Sequence, residues 1–335
     1  MNNNFRDFQH LSGAVYPDFF IRRENEKRTL KKLGFYTGGA VIMSVVVQTV
    51  LVLSLDLFKL TDRYYSDAYF SSAVDILIVI IGMLLPFLFF GKRMKVTSGI
   101  STVPELGRPY RKSLMVPAVI AGVGFCMLGN IINSYITIFF ESANVELTSP
   151  DIPMAEGFSG VILTFFRVAI TAAIVEEISL RGYVMGSLRF YGDSFAIAVS
   201  SVVFAAMHGN MVQAPFALMA GFALGFLSVK TGTIWTGIII HLLNNSLSLV
   251  VYYMSEHFGQ EQIALPYTFM LFGLIGFGMI SFVYFSNKTK DVSLSKGGSV
   301  LGTGEKIKTF FLSPAMILTL IYTVYVTLQY INPAK

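Results

Sequence analysis

Charge is scarce in this chain: Asp, Glu, Lys and Arg make up only 13% of its 335 residues, while 54% are hydrophobic. Soluble domains carry roughly a quarter charged residues. So few charges could not cover so large an apolar complement in water, whereas lipid removes the need to cover it, so a water-soluble globule is excluded. Cysteine is nearly absent as well. The single Cys126 lies in an apolar run, which rules out an internal disulfide framework and reads as packing. No apolar segment begins before Gly34, so no cleaved signal peptide is expected ahead of the first span. No internal repeat relates one half of the protein to the other, which disfavours a repeat-built transporter. No nucleic-acid motif is present, and the net charge of +5 speaks first about orientation in a membrane.

What the sequence does have is long apolar runs. Four clear crossings fall at 34–58, 71–91, 114–140 and 157–182, with further runs at 193–208, 214–230, 233–253, 264–286 and 310–331. Two short helices or a re-entrant element could occupy 193–230. The expectation is an all-α, polytopic transmembrane helical bundle of about eight or nine spanning helices. It divides into a basic N-terminal segment (1–33), N-terminal transmembrane helices (34–156), a core (157–253) and C-terminal transmembrane helices with a linker (254–335). If nine segments cross, 21 of the 25 Lys and Arg fall on one side, against Lys59, Arg63 and Lys335 on the other. The loop 141–156 carries four acids and no base, and 254–263 carries Glu256 and Glu261 alone. The positive-inside rule then places the N-terminus in the cytoplasm of a multi-pass cell-membrane protein. Tyr16 to Lys32 mixes aromatic and basic residues and reads as a helix on an anionic surface or a solvated basic tail. The Gly- and Ser-rich stretch Ser293 to Gly304 reads as a flexible cytoplasmic linker, with a peripheral helix after it.

Ionisable groups inside spans cost at least ~2.5 kcal/mol each, so each is a functional hypothesis. The outstanding place is Glu176-Glu177 followed by Arg181, late in the fourth span. On a helix Glu177 and Arg181 are four apart, acid first, and can pair, while Glu176 is turned by ~100° and remains free as a base or ligand. The competing reading is a cytoplasmic helix end where these groups simply meet water. Of four histidines, His208 and His241 lie within or at the ends of apolar runs, whereas His10 and His257 look solvent-facing. Phe204 is four before His208 and can wall its ring, and Asn245 is four after His241 and can orient it or donate to a developing oxyanion. If the fourth helix runs to Leu188, then Glu176, His208 and His241 lie ~18, ~22 and ~12 Å along their helices and can meet near mid-membrane. Arg167, nine residues before Glu176, reads as an anchor or loop partner, and the Ala217, Gly221, Gly225 stripe reads as packing.

These residues resemble, in order, the motifs of the CAAX-endopeptidase and bacteriocin-immunity (CPBP) family: EExxxR at Glu176, Glu177 and Arg181, FxxxH at Phe204 and His208, and HxxxN at His241 and Asn245. The resemblance covers 157–253 and implies a membrane-embedded endopeptidase acting on a membrane-associated or prenylated CAAX-type protein or peptide within the lipid bilayer. It implies that Glu176 activates water, that His208 and His241 hold that water or a metal, and that Asn245 stabilises the oxyanion. Glu177, Arg181 and Phe204 would be supports. Either no cofactor is used, or zinc is held by Glu176, His208 and His241. A glutamate that ligates zinc is not free to act as general base, which favours glutamate-activated water. Two rivals stand beside this reading: a proton-coupled carrier in which the same residues form a relay, and a non-catalytic bacteriocin-immunity protein.

Overall fold

The computed structural model describes residues 6–99, 112–150, 154 and 157–333, with side chains from Asp18 onward. His10, Arg108, Arg111, Asp151, Glu156 and Lys335, which enter the sequence reading, lie outside the described side chains. Eleven helices and one two-stranded ladder make up the described residues. They are α1 (Arg6–Leu57), α2 (Thr61–Ser66), α3 (Ala68–Ser98), α4 (Lys112–Ser142), β1 (Val145–Leu147), α5 (Gly157–Tyr191) and α6 (Asp193–His208). There follow α7 (Ala214–Thr231), α8 (Ile234–Phe258), α9 (Gln260–Thr289), α10 (Thr303–Phe311), α11 (Pro314–Leu328) and β2 (Ile331–Pro333).

Among the described residues, seven helices are long and apolar enough to cross a membrane, and the α10–α11 pair, bent by 77°, would be an eighth. The protein is thus a polytopic helical bundle, and the run 193–208, where the sequence left open a crossing, a short helix or a re-entrant element, is not of spanning length. Helix α6 has 16 residues, or ~24 Å, short of a ~30 Å hydrocarbon core. It packs antiparallel on α7. A Cβ on Gly221 would stand 2.8 Å from Ser201 Cβ, and one on Gly225 3.1 Å from Ile197 Cγ2, so the small-residue stripe brings α7 close against α6. Close approach joins other pairs too. A Cβ on Gly124 of α4 would meet the Gly278 Cα of α9 at 2.7 Å. One on Gly38 of α1 would collide with the Ala315 backbone of α11.

Three expectations about the periphery change. The basic stretch to Lys32 neither lies along a surface nor trails as a tail, because it is continuous with the first span in α1. Leu30 and Leu33 are fully buried there, and Arg23 and Lys27 pair with Glu305 at 2.9 and 2.8 Å. The Gly/Ser-rich linker is an ordered strap. Asp193 N–H donates to Ser295 O at 2.9 Å, Ser295 N–H donates back to Asp193 Oδ2 at 3.1 Å, and Gly298 N–H donates to Phe190 O at 2.9 Å. Glu26 Oε2 accepts from the Ser299 hydroxyl (2.7 Å) and Val300 N–H (2.9 Å). The last helix is integral, since Thr319 and Thr323 donate to Gly38 O (3.2 Å) and Ala206 O (3.3 Å). Beyond it, β2 pairs antiparallel with β1, tying the last described residues to the loop after α4.

Candidate active site

Helix α5 is not uniformly α-helical. Wide π-turns at Phe166–Thr171 and Ile178–Met185 flank the six-residue α segment Ala172–Glu177, and such turns cluster at functional sites. Glu176 and Glu177 end that segment. The second of them, Glu177, is fully buried, with Oε1 3.1 Å from Arg181 Nη1 and 3.2 Å from His241 Nδ1. The Arg181 contact is a close ion pair rather than an aligned hydrogen bond. Arg181 is itself fully buried, lies 4.8 Å over the Phe204 ring and donates from Nη2 to Gly221 O at 3.4 Å. It therefore drops out of the loop charge counted from sequence. Room for Glu177 depends on Gly237 of α8, where a Cβ would stand 2.7 Å from Glu177 Oε2.

Glu176 faces the other side of the same imidazole. Its Oε2 lies 3.7 Å from His241 Nε2, longer than a hydrogen bond, so the two atoms are neighbours without being committed to each other. His208 ends α6, where Gly209 adopts a left-handed φ of 62°. Its Nδ1 lies 2.9 Å from Phe204 O, which assigns the ring proton to Nδ1 and leaves Nε2 as an acceptor. The Phe204 ring sits edge-on to both imidazoles, at 4.8 Å from His208 and 5.9 Å from His241. Asn245 donates one amide N–H to Val168 O, within the first π-turn, at 2.9 Å, and its Oδ1 accepts from Asn244 at 3.2 Å.

Glu176, Phe204, His208, His241 and Asn245 line one cavity of about 310 Å³. Glu177 and Arg181 lie behind it. The sequence reading missed Asn130, Asn133, Gln213 and Asn244, which also line it. Their only signal was the amide type in otherwise apolar runs. It missed Asp75 too, the partner of buried Arg167 at 2.9 Å, so Arg167 links two spans rather than anchoring at an interface. Tyr64 donates to the other Asp75 oxygen at 2.7 Å, and burial, with the Asp75 carboxylate second, raises its phenol above the ordinary range.

Each imidazole has an acceptor fixed on Nδ1, the arrangement usual for histidines that ligate a metal through Nε2. Among the described residues, however, no three His, Cys, Asp or Glu side chains are grouped as a metal ion requires. What the geometry supplies without a metal is a carboxylate base, two oriented imidazoles and an amide donor around one polar cavity.

A membrane bundle enclosing a carboxylate–imidazole pocket is the class that fold and site define. Residues 158–247 match the family model described as Type II CAAX prenyl endopeptidase Rce1-like, a range that contains every motif residue named above. Over 87 residues the chain is 31% identical to a Bacillus subtilis (strain 168) protein named "Putative membrane peptidase YdiL". That alignment covers 25% of this chain and 34% of the relative, so the match spans about a third of that protein's length. No solved structure matches the chain. Over residues 158–247 the chain is thus similar to intramembrane proteases of the CPBP type.

Proposed function

We propose that the protein is an intramembrane endopeptidase that hydrolyses a peptide bond of a membrane-associated or prenylated, CAAX-type substrate with a glutamate-activated water. The observation that carries this reading is Glu176 Oε2 beside His241 Nε2, on the wall of a polar cavity shared with His208 and Asn245. In this reading a water beside Glu176 gives up its proton to the carboxylate and attacks the scissile carbonyl. The water's second O–H donates to Nε2 of His241, with His208 on the same cavity wall as the alternate acceptor. Asn245 spends one N–H on Val168 and keeps the second for the tetrahedral oxyanion. Glu176 then returns the proton to the leaving nitrogen. Were zinc bound, Glu176, His208 and His241 would hold it and it would act as a Lewis acid. The ligand set is not grouped for that, and no step here depends on it. Backbone groups of a peptide in lipid need polar partners, which the cavity amides supply.

The basic ends of α1 and α3 and the strap share one face of the bundle, which we assign to the cytoplasm of a multi-pass cell membrane. The test is purified protein in lipid nanodiscs with a membrane-peptide library, wild type against Glu176→Gln, with metal content measured alongside. Cleavage that falls by about 10²-fold or more in the variant supports the reading. Equal cleavage by both overturns it, as does proton-coupled transport with no cleavage by either.

A further inference from the structure

A second, larger cavity of about 760 Å³ shares its wall with the first: Val168, His208 and Asn245 line both. The candidate catalytic groups are therefore approached from two sides. We propose that the larger chamber receives the apolar flank of an extended peptide substrate, and that α1, α3 and α11 select its side chains. This rests on the endopeptidase reading and deepens it.

Chemistry, length and placement carry the assignment. Most of the lining surface is apolar, with Val41, Val45, Ile78 and Val326 among its residues, so the flank it accepts is apolar. A pure hydrocarbon tail would nevertheless strand Gln48, which projects into the chamber and bonds to none of the described residues. The missing side chain of Gly82 makes room for it. An amide with two donors and an acceptor matches the C=O and N–H groups of a peptide backbone, and leaving it unpaired against an alkyl tail would be unfavourable. The hydroxyl of Thr323 donates to Ala206 O, so its lone pairs can still accept from a substrate N–H. Along α1 the lining runs from Val41 to Leu53, ~18 Å of helix, which is the span of about five extended residues. At the far end stand Tyr64, Asp75 and Arg167, whose mutual bonds close that wall with a neutralised pair. Helices α1, α3 and α11 all lie outside residues 158–247, so the walls they add to this chamber come from the part of the protein that the family match leaves uncovered.

The experiment compares peptides that differ only in side-chain volume on the flank beside the scissile bond, using wild type, Val45→Trp to fill the chamber, Ile78→Ala to enlarge it, and Glu176→Gln as the blank. In Val45→Trp, kcat/KM for peptides with Leu or Phe on that flank is expected to fall about tenfold while Ala peptides change less than about threefold. In Ile78→Ala the preference shifts the other way, toward Phe and Trp. Cleavage that is absent, or persists in Glu176→Gln, overturns both this proposal and the endopeptidase reading. Glu176-dependent cleavage whose side-chain preference is unchanged in both variants overturns the chamber assignment alone. A preference that follows the length of a lipid attached to the peptide, equal across side chains, does the same.

Discussion

His241 Nδ1 lies 3.2 Å from Glu177 Oε1, so the imidazole of α8 is pinned from behind by a fully buried carboxylate of α5. The carboxylate fixes the ring proton on Nδ1 and leaves Nε2 facing Glu176. Glu177→Gln retains the shape and weakens the orientation, and kcat is expected to fall about 10- to 100-fold with KM little changed. Arg181→Met leaves the buried Glu177 charge without its cation and is expected to cost about 3–5 kcal/mol of stability. Steady-state kinetics and thermal unfolding in nanodiscs separate the two effects. Equal behaviour of the two variants in both measurements would refute the division of labour.

Asn245 has one amide N–H engaged by Val168 and one left for a transition-state oxyanion. Asn245→Ala is expected to reduce kcat by about 10²–10³-fold. Asn244→Ala removes the neighbour that donates to the Asn245 oxygen and is expected to have a smaller effect in the same direction. Parallel kcat measurements check the order.

The strap over the basic face has its own pH response. The hydroxyl of Ser293, and then its backbone N–H at 2.7 Å, hold the Asp291 carboxyl below the ordinary carboxylate range. A depressed folded-state pKa stabilises above the unfolded value, near about 4, and that contribution disappears as pH falls through the folded value. Hydrogen-exchange protection over residues 293–298 is therefore expected to hold at pH ~5 and above and to weaken in stronger acid. Asp291→Asn should lack that acid step. Glu26→Ala, which removes the acceptor for Ser299 and Val300, should loosen the strap at every pH.

Backbone contact between α4 and α9 at Gly124 and Gly278 leaves no space for larger residues. Gly124→Leu is expected to destabilise the bundle by about 1–3 kcal/mol or more through forced separation of these spans. Gly273→Leu, at a position where an added Cβ meets nothing within 4 Å, serves as the neutral comparison in the same unfolding assay.

The class of fold was legible because lipid imposes a length and apolarity that a bare sequence displays openly. Motif spacing also carried far: Glu177 and Arg181 pair, Phe204 walls His208, and five of the named residues line one cavity. What stayed hidden depends on contacts between distant segments. Nothing local announces that Glu177 serves His241, 64 positions away, or that Asp75 meets Arg167 across 92. The strap deceived for a related reason. Gly and Ser composition suggests mobility, yet Gly192 and Gly297 have positive φ and interlock with Lys296 O and Phe190 O at distances that suit only glycine. The length of α6 stayed open, because an apolar run ending at His208 reads as a crossing or as a short element until its partner α7 closes it into a hairpin.

The two wide turns of α5 separate the register of six residues from the packing of the helix at either end. Each turn accommodates roughly one residue more than an α-turn would, so deleting a single residue within 178–185 need not move the helix ends in the bilayer. A deletion between Glu177 and Arg181 would instead shorten their spacing from four residues to three and change how the guanidinium meets the carboxylate. A span so built can keep its place among its neighbours while the pairing behind the candidate catalytic groups is altered, and one-residue length changes there would then act on the site more than on assembly.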